Sequence, residues 1–283
     1  MVRTLSKQIN PTSVHTRHDR LWLVEMAHQR KETLFTIDRL WAASLKLHEE
    51  DWDKPYKCSK LSDRLFFDFC NKNIQGLDAR FTLNKFFSEY GVARTLHEDW
   101  RESFFEIIRD VSVSQRCAGF HERQKTLDKA LINGKEKWKF KSGKKAYPKS
   151  AASKISWFVA PSNWTIYDSY AVRALETIKD DTNRIERLNF ETFYKRLESL
   201  NVLQLEKAIS KELELNIDFS KKQLLGSRVI DKMLWIMGSH DYFKRVSSNL
   251  EEKYLSFAQA LLANHRCHAL NLHLMNRWGV AIK

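Results

Sequence analysis

The chain has 283 residues, enough for one large domain or two ordinary lobes with a buried core. Eight glycines and four prolines are too few for a turn-rich all-β chain, and 43% hydrophobic residues exclude a mainly disordered one. The net charge of +13, from 48 Lys and Arg against 35 Asp and Glu, points to a polyanionic partner. The first dozen residues read as a frayed tail without a signal-peptide core. From Asp19 the pattern is helical, and Ile37, Leu40, Trp41, Leu45 and Leu47 carry an apolar face at spacings of three and four. Pro55 breaks it. Ser62 caps a helix through Leu65, Phe66 and Phe69. Further helices are expected over 82–90, over 98–113 (Trp100, Phe104, Phe105, Ile107, Ile108) and over 119–132, where Asn133-Gly134 stops the last.

Residues 135–149 then hold seven lysines against a single acid, Glu136. Lys137-Trp138-Lys139-Phe140-Lys141 alternates charge and ring, as an extended segment does, and Ser142-Gly143 is a turn signal. Lysines interleaved with rings suit a nucleic-acid backbone and its bases, so Lys135, Lys137, Lys139, Lys141, Lys144 and Lys145 are the expected nucleic-acid contacts. Pro148 opens a helix over 149–159, which Ala160-Pro161 ends. Residues 162–167 form an extended return, and Asp168 caps a helix over 169–179. Helices follow over 183–200 (capped by Asn183), 203–213, 227–237 and 250–274. The fold class is all-α, with an N-terminal helical lobe over 1–130 and a second region over 131–283. No apolar run approaches the ~18 residues of a membrane span. Four scattered cysteines (Cys58, Cys70, Cys117, Cys267) make neither a disulfide framework nor a metal knuckle, so a reducing cytoplasm is expected.

The return segment carries the chemistry. A helix over 149–159 rises about 15 Å, and seven extended residues span at most about 23 Å. Asp168 can therefore come back beside a lysine of that helix, next to a basic surface. The run Ser153-Lys154-Ile155-Ser156-Trp157-Phe158, Pro161 and Thr165-Ile166-Tyr167-Asp168-Ser169 resembles the helix-hairpin-helix DNA glycosylases, in their 8-oxoguanine glycosylase-like branch. It also looks like small glycosylase-like proteins found near bacterial phage-defence genes. The later run Arg228-Val229-Ile230-Asp231-Lys232-Met233-Leu234-Trp235 is similar to their closing helix. The likeness covers about 148–175 and, more faintly, 226–238. The family's Leu-Pro-Gly-x-Gly hairpin is replaced by Ser142-Gly143-Lys144-Lys145.

The resemblance implies a two-lobed helix-hairpin-helix fold that binds duplex DNA, flips a modified or damaged base and excises it. The substrate is either a hypermodified phage base of the glucosylated hydroxymethylcytosine type or an oxidised guanine. A non-catalytic DNA-binding module on the same scaffold is the rival reading. Asp168 takes the position of the catalytic aspartate. Either Lys149, by spacing, or Lys154, by the Ser-Lys pair, takes that of the lysine. Trp138, Trp164, Tyr167 and Tyr170 are base-stacking candidates. Trp157 and Phe158 belong in the core, and Arg228 with Asp231 forms an i,i+3 pair. His265, Cys267, His268 and His273 lack a second ligand pair at metal spacing, so neither a metal nor a cofactor is expected.

Overall fold

Local caps set the helix boundaries, and one continuous core orders the helices. The computed structural model describes residues 36–53, 62–72, 79–90, 96–133, 147–178, 188–239, 249–265 and 268–278. Among these residues every regular element is a helix and no strand occurs. The elements are α1 (Ile37–Asp53), α2 (Asp63–Lys72), α3 (Ala79–Glu89), α4 (Glu98–Ser114), α5 (Phe120–Asn133), α6 (Lys149–Val159), α7 (Ser169–Thr177), α8 (Phe190–Ser199), α9 (Val202–Leu215), α10 (Gly226–Gly238), α11 (Glu252–His265) and α12 (Ala269–Trp278). No helix among the described residues is long and apolar enough to cross a membrane.

The apolar stripes land where their periodicity puts them. Ile37, Leu40, Trp41 and Leu45 of α1 and Phe104, Phe105 and Ile108 of α4 are buried. Ser62 Oγ accepts the Leu65 amide, which starts α2. Packing crosses residue 130, where the boundary between lobes is expected. α1 lies against α10 and α11, α4 against α6, and α5 against α8. One hydrophobic cluster includes residues from all of these helices.

Two helices differ from expectation. The helix expected over 183–200 begins at Phe190, because Asn189 forms a capping box. Its side chain accepts the Glu191 and Thr192 amides, while Thr192 Oγ1 accepts the Asn189 amide. Asn183 lies outside the described residues. The helix expected over 250–274 is two, α11 and α12. His268 Nδ1 accepts the Leu270 amide and so caps α12, which leaves Nε2 to donate to the Asn201 carbonyl at 2.9 Å.

α10 organises the centre. Every residue from Gly226 to Gly238 except Trp235 is buried. Glycine at each end lets it approach its neighbours. A Cβ on Gly226 would stand 2.5 Å from the Glu206 carbonyl oxygen of α9, and one on Gly238 only 1.9 Å from that of Tyr170. The second approach fixes the first turn of α7, immediately after Asp168.

Candidate active site

The site is built by folding the 160–168 segment back along α6. Arg123 of α5, fully buried, anchors the start of the return. Its Nη1 donates to the carbonyls of Ala160 at 2.7 Å and Ser162 at 3.3 Å. Its Nη2 donates to the carbonyl and hydroxyl of Ser156 at 2.6 and 2.8 Å. A cation thus satisfies the carbonyls that end α6, where the helix dipole is negative. Burial pushes the Arg123 guanidinium down to about 10.

Ser153 receives the far end of the return. The Trp164 indole donates to its carbonyl at 2.9 Å, and the Tyr167 amide donates to its hydroxyl at 2.7 Å. The Tyr194 hydroxyl donates to the Thr165 carbonyl at 2.8 Å, so the Ser153 hydroxyl donates in turn to Tyr194. One residue beyond Tyr167 stands Asp168, extended at φ −142° and ψ 175°. Its Oδ1 accepts the amides of Tyr170 at 2.9 Å and Ala171 at 2.8 Å. These bonds fix the carboxylate at the positive end of α7.

Of the two candidate lysines, Lys154 lies within reach of the Asp168 charge, with no ion pair or hydrogen bond joining the two side chains. The Lys154 amine donates to the Tyr90 carbonyl at 3.3 Å and lies 5.6 Å from the Tyr90 ring centroid. Burial lowers its proton affinity, Asp168 and Asp231 oppose that, and Arg228 and Lys232 add to it. Lys149 lies over the rings of Phe190 at 5.5 Å and Tyr147 at 6.0 Å. Five residues from Lys154, it stands about 7.5 Å along the helix.

Among the stacking candidates, Trp164 is corrected to a core residue. It is fully buried, stacks on Tyr194 at 4.2 Å and carries Arg123 over its ring at 4.7 Å, so neither face is open to a base. Tyr167 is half-buried, edge-on to Phe190 and Phe193. Tyr170 is half-buried against Trp235, with Arg173 over its ring at 4.8 Å. Lys135, Lys137, Lys139, Lys141, Lys144, Lys145 and Trp138 lie outside the described residues. Just after that stretch, the Tyr147 hydroxyl donates to Asp128 of α5 at 2.5 Å. Trp157 and Phe158 are fully buried, as expected.

Sequence reasoning missed Arg123, Asp63, Tyr90 and the role of Asp231. Asp63 is fully buried and accepts Arg228 Nε and Nη2 on Oδ2 at 3.1 and 2.7 Å. The Tyr90 hydroxyl donates to Asp63 Oδ1, and Arg228 Nη1 donates to Asp231 Oδ2. The expected i,i+3 pair of Arg228 and Asp231 is therefore present, and it is buried. Burial pushes the Asp231 carboxyl up to about 6, against the opposing pull of Arg228. Lys232 pairs with Asp51 of α1. His48 accepts the Leu225 amide, and burial holds its imidazole well below its ordinary 6.5.

No group of His, Cys, Asp or Glu among the described residues is placed to hold a metal ion. A small cleft between α3 and α4, lined by Arg80, Asn84, Glu98, Arg101 and Glu102, shares no residue with this site. Chemically, the site offers a carboxylate fixed at a helix N-terminus and a nearby amine that loses its proton more readily than a free lysine. Comparison of the chain with protein-family models, curated proteins and solved structures found no match.

The return segment also carries a titratable clamp. Glu206 of α9 accepts the Asn163 amide at 3.3 Å, and burial pushes its carboxyl up to about 7. Below the ordinary value of 4.5 the group is protonated in both folded and unfolded chains and contributes nothing to pH dependence. As pH rises from 4.5 through about 7, the unfolded chain ionises first, so stability falls. The gap corresponds to about 3 kcal/mol. Glu206→Gln should therefore gain stability relative to the parent chain by about that amount across this window. Urea denaturation at a series of pH values measures the difference. A constant difference would show that Glu206 titrates as a free carboxyl.

Proposed function

We propose that this chain is a DNA glycosylase with the two-lobed helix-hairpin-helix architecture, acting on a modified base in duplex DNA. The observation that carries the proposal is the return of residues 160–168 onto Ser153, which leaves Asp168 at the start of α7, where its charge acts on the Lys154 amine. In this reading the lysines at 135, 137, 139, 141, 144 and 145 hold the phosphates of the duplex. The target base leaves the stack, at a cost of a few kcal/mol. The C1′–N bond then breaks, its electron pair departs with the base, and positive charge develops on the sugar. The Asp168 carboxylate stabilises that charge and orients a water whose oxygen bonds to C1′. The water's proton passes to the departing base or to solvent, and an abasic site remains. A neutral Lys154 amine can replace the water at C1′, giving a covalent intermediate that leads on to strand cleavage.

The preferred substrate is a bulky phage base such as glucosylated hydroxymethylcytosine, which makes the biological role antiviral defence in the cytoplasm. This preference rests on the likeness of the Ile166-Tyr167-Asp168-Ser169 run to defence-associated relatives and on the replaced glycine hairpin. The test incubates the protein with phage DNA carrying glucosylated cytosines, with a plasmid carrying oxidised guanine, and with unmodified plasmid. Released base is read by mass spectrometry and abasic sites by an aldehyde-reactive probe. Product from the phage DNA alone is expected. Product from the oxidised plasmid alone would make the role repair. No product from either, with salt-dependent duplex binding intact, would overturn the enzymatic reading in favour of a binding module.

A further inference from the structure

One residue supplies a cradle for the Lys154 amine. Helix α3 ends at Glu89, and its last turn carries no basic residue of its own. The carbonyl of Tyr90, the next residue, accepts the Lys154 amine at 3.3 Å. A cation from α6 thus serves the end of α3, where carbonyls lack helical partners and the dipole is negative. The same amine lies over the Tyr90 ring, 5.6 Å from its centroid, within range of attraction to the π face. The ring is itself held from three sides. Phe86, one turn earlier, meets it at 4.6 Å between centroids. Phe158, one turn after Lys154 on α6, meets it edge-on at 5.5 Å. The Tyr90 hydroxyl donates to Asp63 of α2, which also accepts Arg228 of α10. Phe86, Phe158 and Asp63 are fully buried, so the ring is a fixed platform.

We infer that Tyr90 is a positioning residue, whose carbonyl and ring face hold the Lys154 amine in place at the proposed site. The inference rests on Lys154 being the amine of that site. Tyr90 lies outside both segments that carry the family likeness, so only the fold reveals it. Both contacts favour the charged amine over the neutral one. They therefore limit how readily Lys154 gives up its proton to act at a sugar carbon. Asp168 at the start of α7 and Asp231, Arg228 and Lys232 on α10 act on the same amine through charge.

The test titrates the Lys154 amine and uses no DNA. The full chain is made with 13C at the lysine ε-carbons, and their signals are followed by NMR over a series of pH values. The signal absent from a Lys154→Arg chain identifies Lys154. Tyr90→Phe keeps the ring and the carbonyl but takes one donor from the buried Asp63. It should melt about 5 °C below the parent and leave the Lys154 midpoint in place. Tyr90→Leu keeps the carbonyl and removes the π face, so the midpoint should fall by about one unit. A trifluorinated phenylalanine placed at position 90 keeps the shape of the ring and weakens its negative face. It should also lower the midpoint, and it gives the answer if the Tyr90→Leu chain does not fold. A role confined to stability would change melting in these chains without separating their midpoints. Equal midpoints in the Tyr90→Phe chain and the trifluorinated chain would therefore overturn the inference. If the midpoints separate while no DNA releases a base, the glycosylase reading fails and the hold of Tyr90 on Lys154 stands.

Discussion

An Arg123→Met chain should melt about 10 °C below the parent, the largest stability loss expected from a single substitution near the site. Methionine keeps an unbranched apolar stem and removes every donor of the guanidinium. The carbonyls of Ser156, Ala160 and Ser162 and the Ser156 hydroxyl then lose the partner they share. Arg123 is fully buried, so bulk water does not replace it at once. The Ser156 carbonyl keeps the Ala160 amide and its hydroxyl keeps Ser112, so the cost falls on the Ala160 and Ser162 carbonyls, at about 1–3 kcal/mol for each buried acceptor left without a donor, and opening of the segment to water returns part of that. A net loss of about 3–5 kcal/mol is reasonable for breaking a buried charged network. At about 2–4 °C per kcal/mol for a chain of this size, the melting point falls by about 10 °C. Circular dichroism at the helix band follows the transition. Arg123→Lys should lie between the two, because one ammonium cannot span the acceptors that the planar fork reaches. A fall of less than about 3 °C for Arg123→Met would mean that the return segment holds itself in place without Arg123.

Arg123 also marks how far a single sequence can be read. α6 is legible to the residue, because Pro148 and Ala160-Pro161 bracket a short apolar pattern and leave little choice of ends. The Asp168 cap is equally legible, since an aspartate before a helical pattern has one common local use. Arg123, by contrast, sits in an amphipathic helix among Glu122 and Lys125 and reads as surface charge. Its partners are backbone carbonyls, and carbonyls carry no sequence signal. The Asp63–Arg228 pair joins residues 165 apart in the chain, beyond the reach of periodicity. The misplaced start of α8 has a different cause. Asn183 and Asn189 are both good caps, and only the reciprocal Thr192 bond selects the second. Trp164 differs from expectation because an aromatic beside the Asp168 cap fits a stacking plate and a core plug equally well in sequence. Tyr194, which stacks on it, comes from another helix.

The largest effect on activity should come from Asp168→Asn, and the cap geometry makes that substitution unusually informative. Both bonds that Asp168 makes to the α7 amides fall on Oδ1. An asparagine carbonyl oxygen can occupy the same place and accept the same two amides. Asparagine and aspartate are near-equal caps, so the stability change should stay within about 0.5 kcal/mol. What the amide lacks is the negative charge. A positively charged sugar beside a neutral amide loses the electrostatic stabilisation that a fixed carboxylate supplies, and removal of one such group commonly lowers rates by about 10²–10³. Base release should fall by at least that much while melting and duplex affinity hold. Asp168→Ala is the contrast: it removes charge and cap together and costs about 1 kcal/mol of stability as well. The two substitutions separate the roles. If the asparagine chain excises base at the parental rate, Asp168 is a helix cap and nothing more, however well its surroundings match the glycosylase pattern. If the asparagine chain is inactive yet as stable as the parent, the carboxylate's charge is what the reaction uses, and the cap serves to hold it at the start of α7.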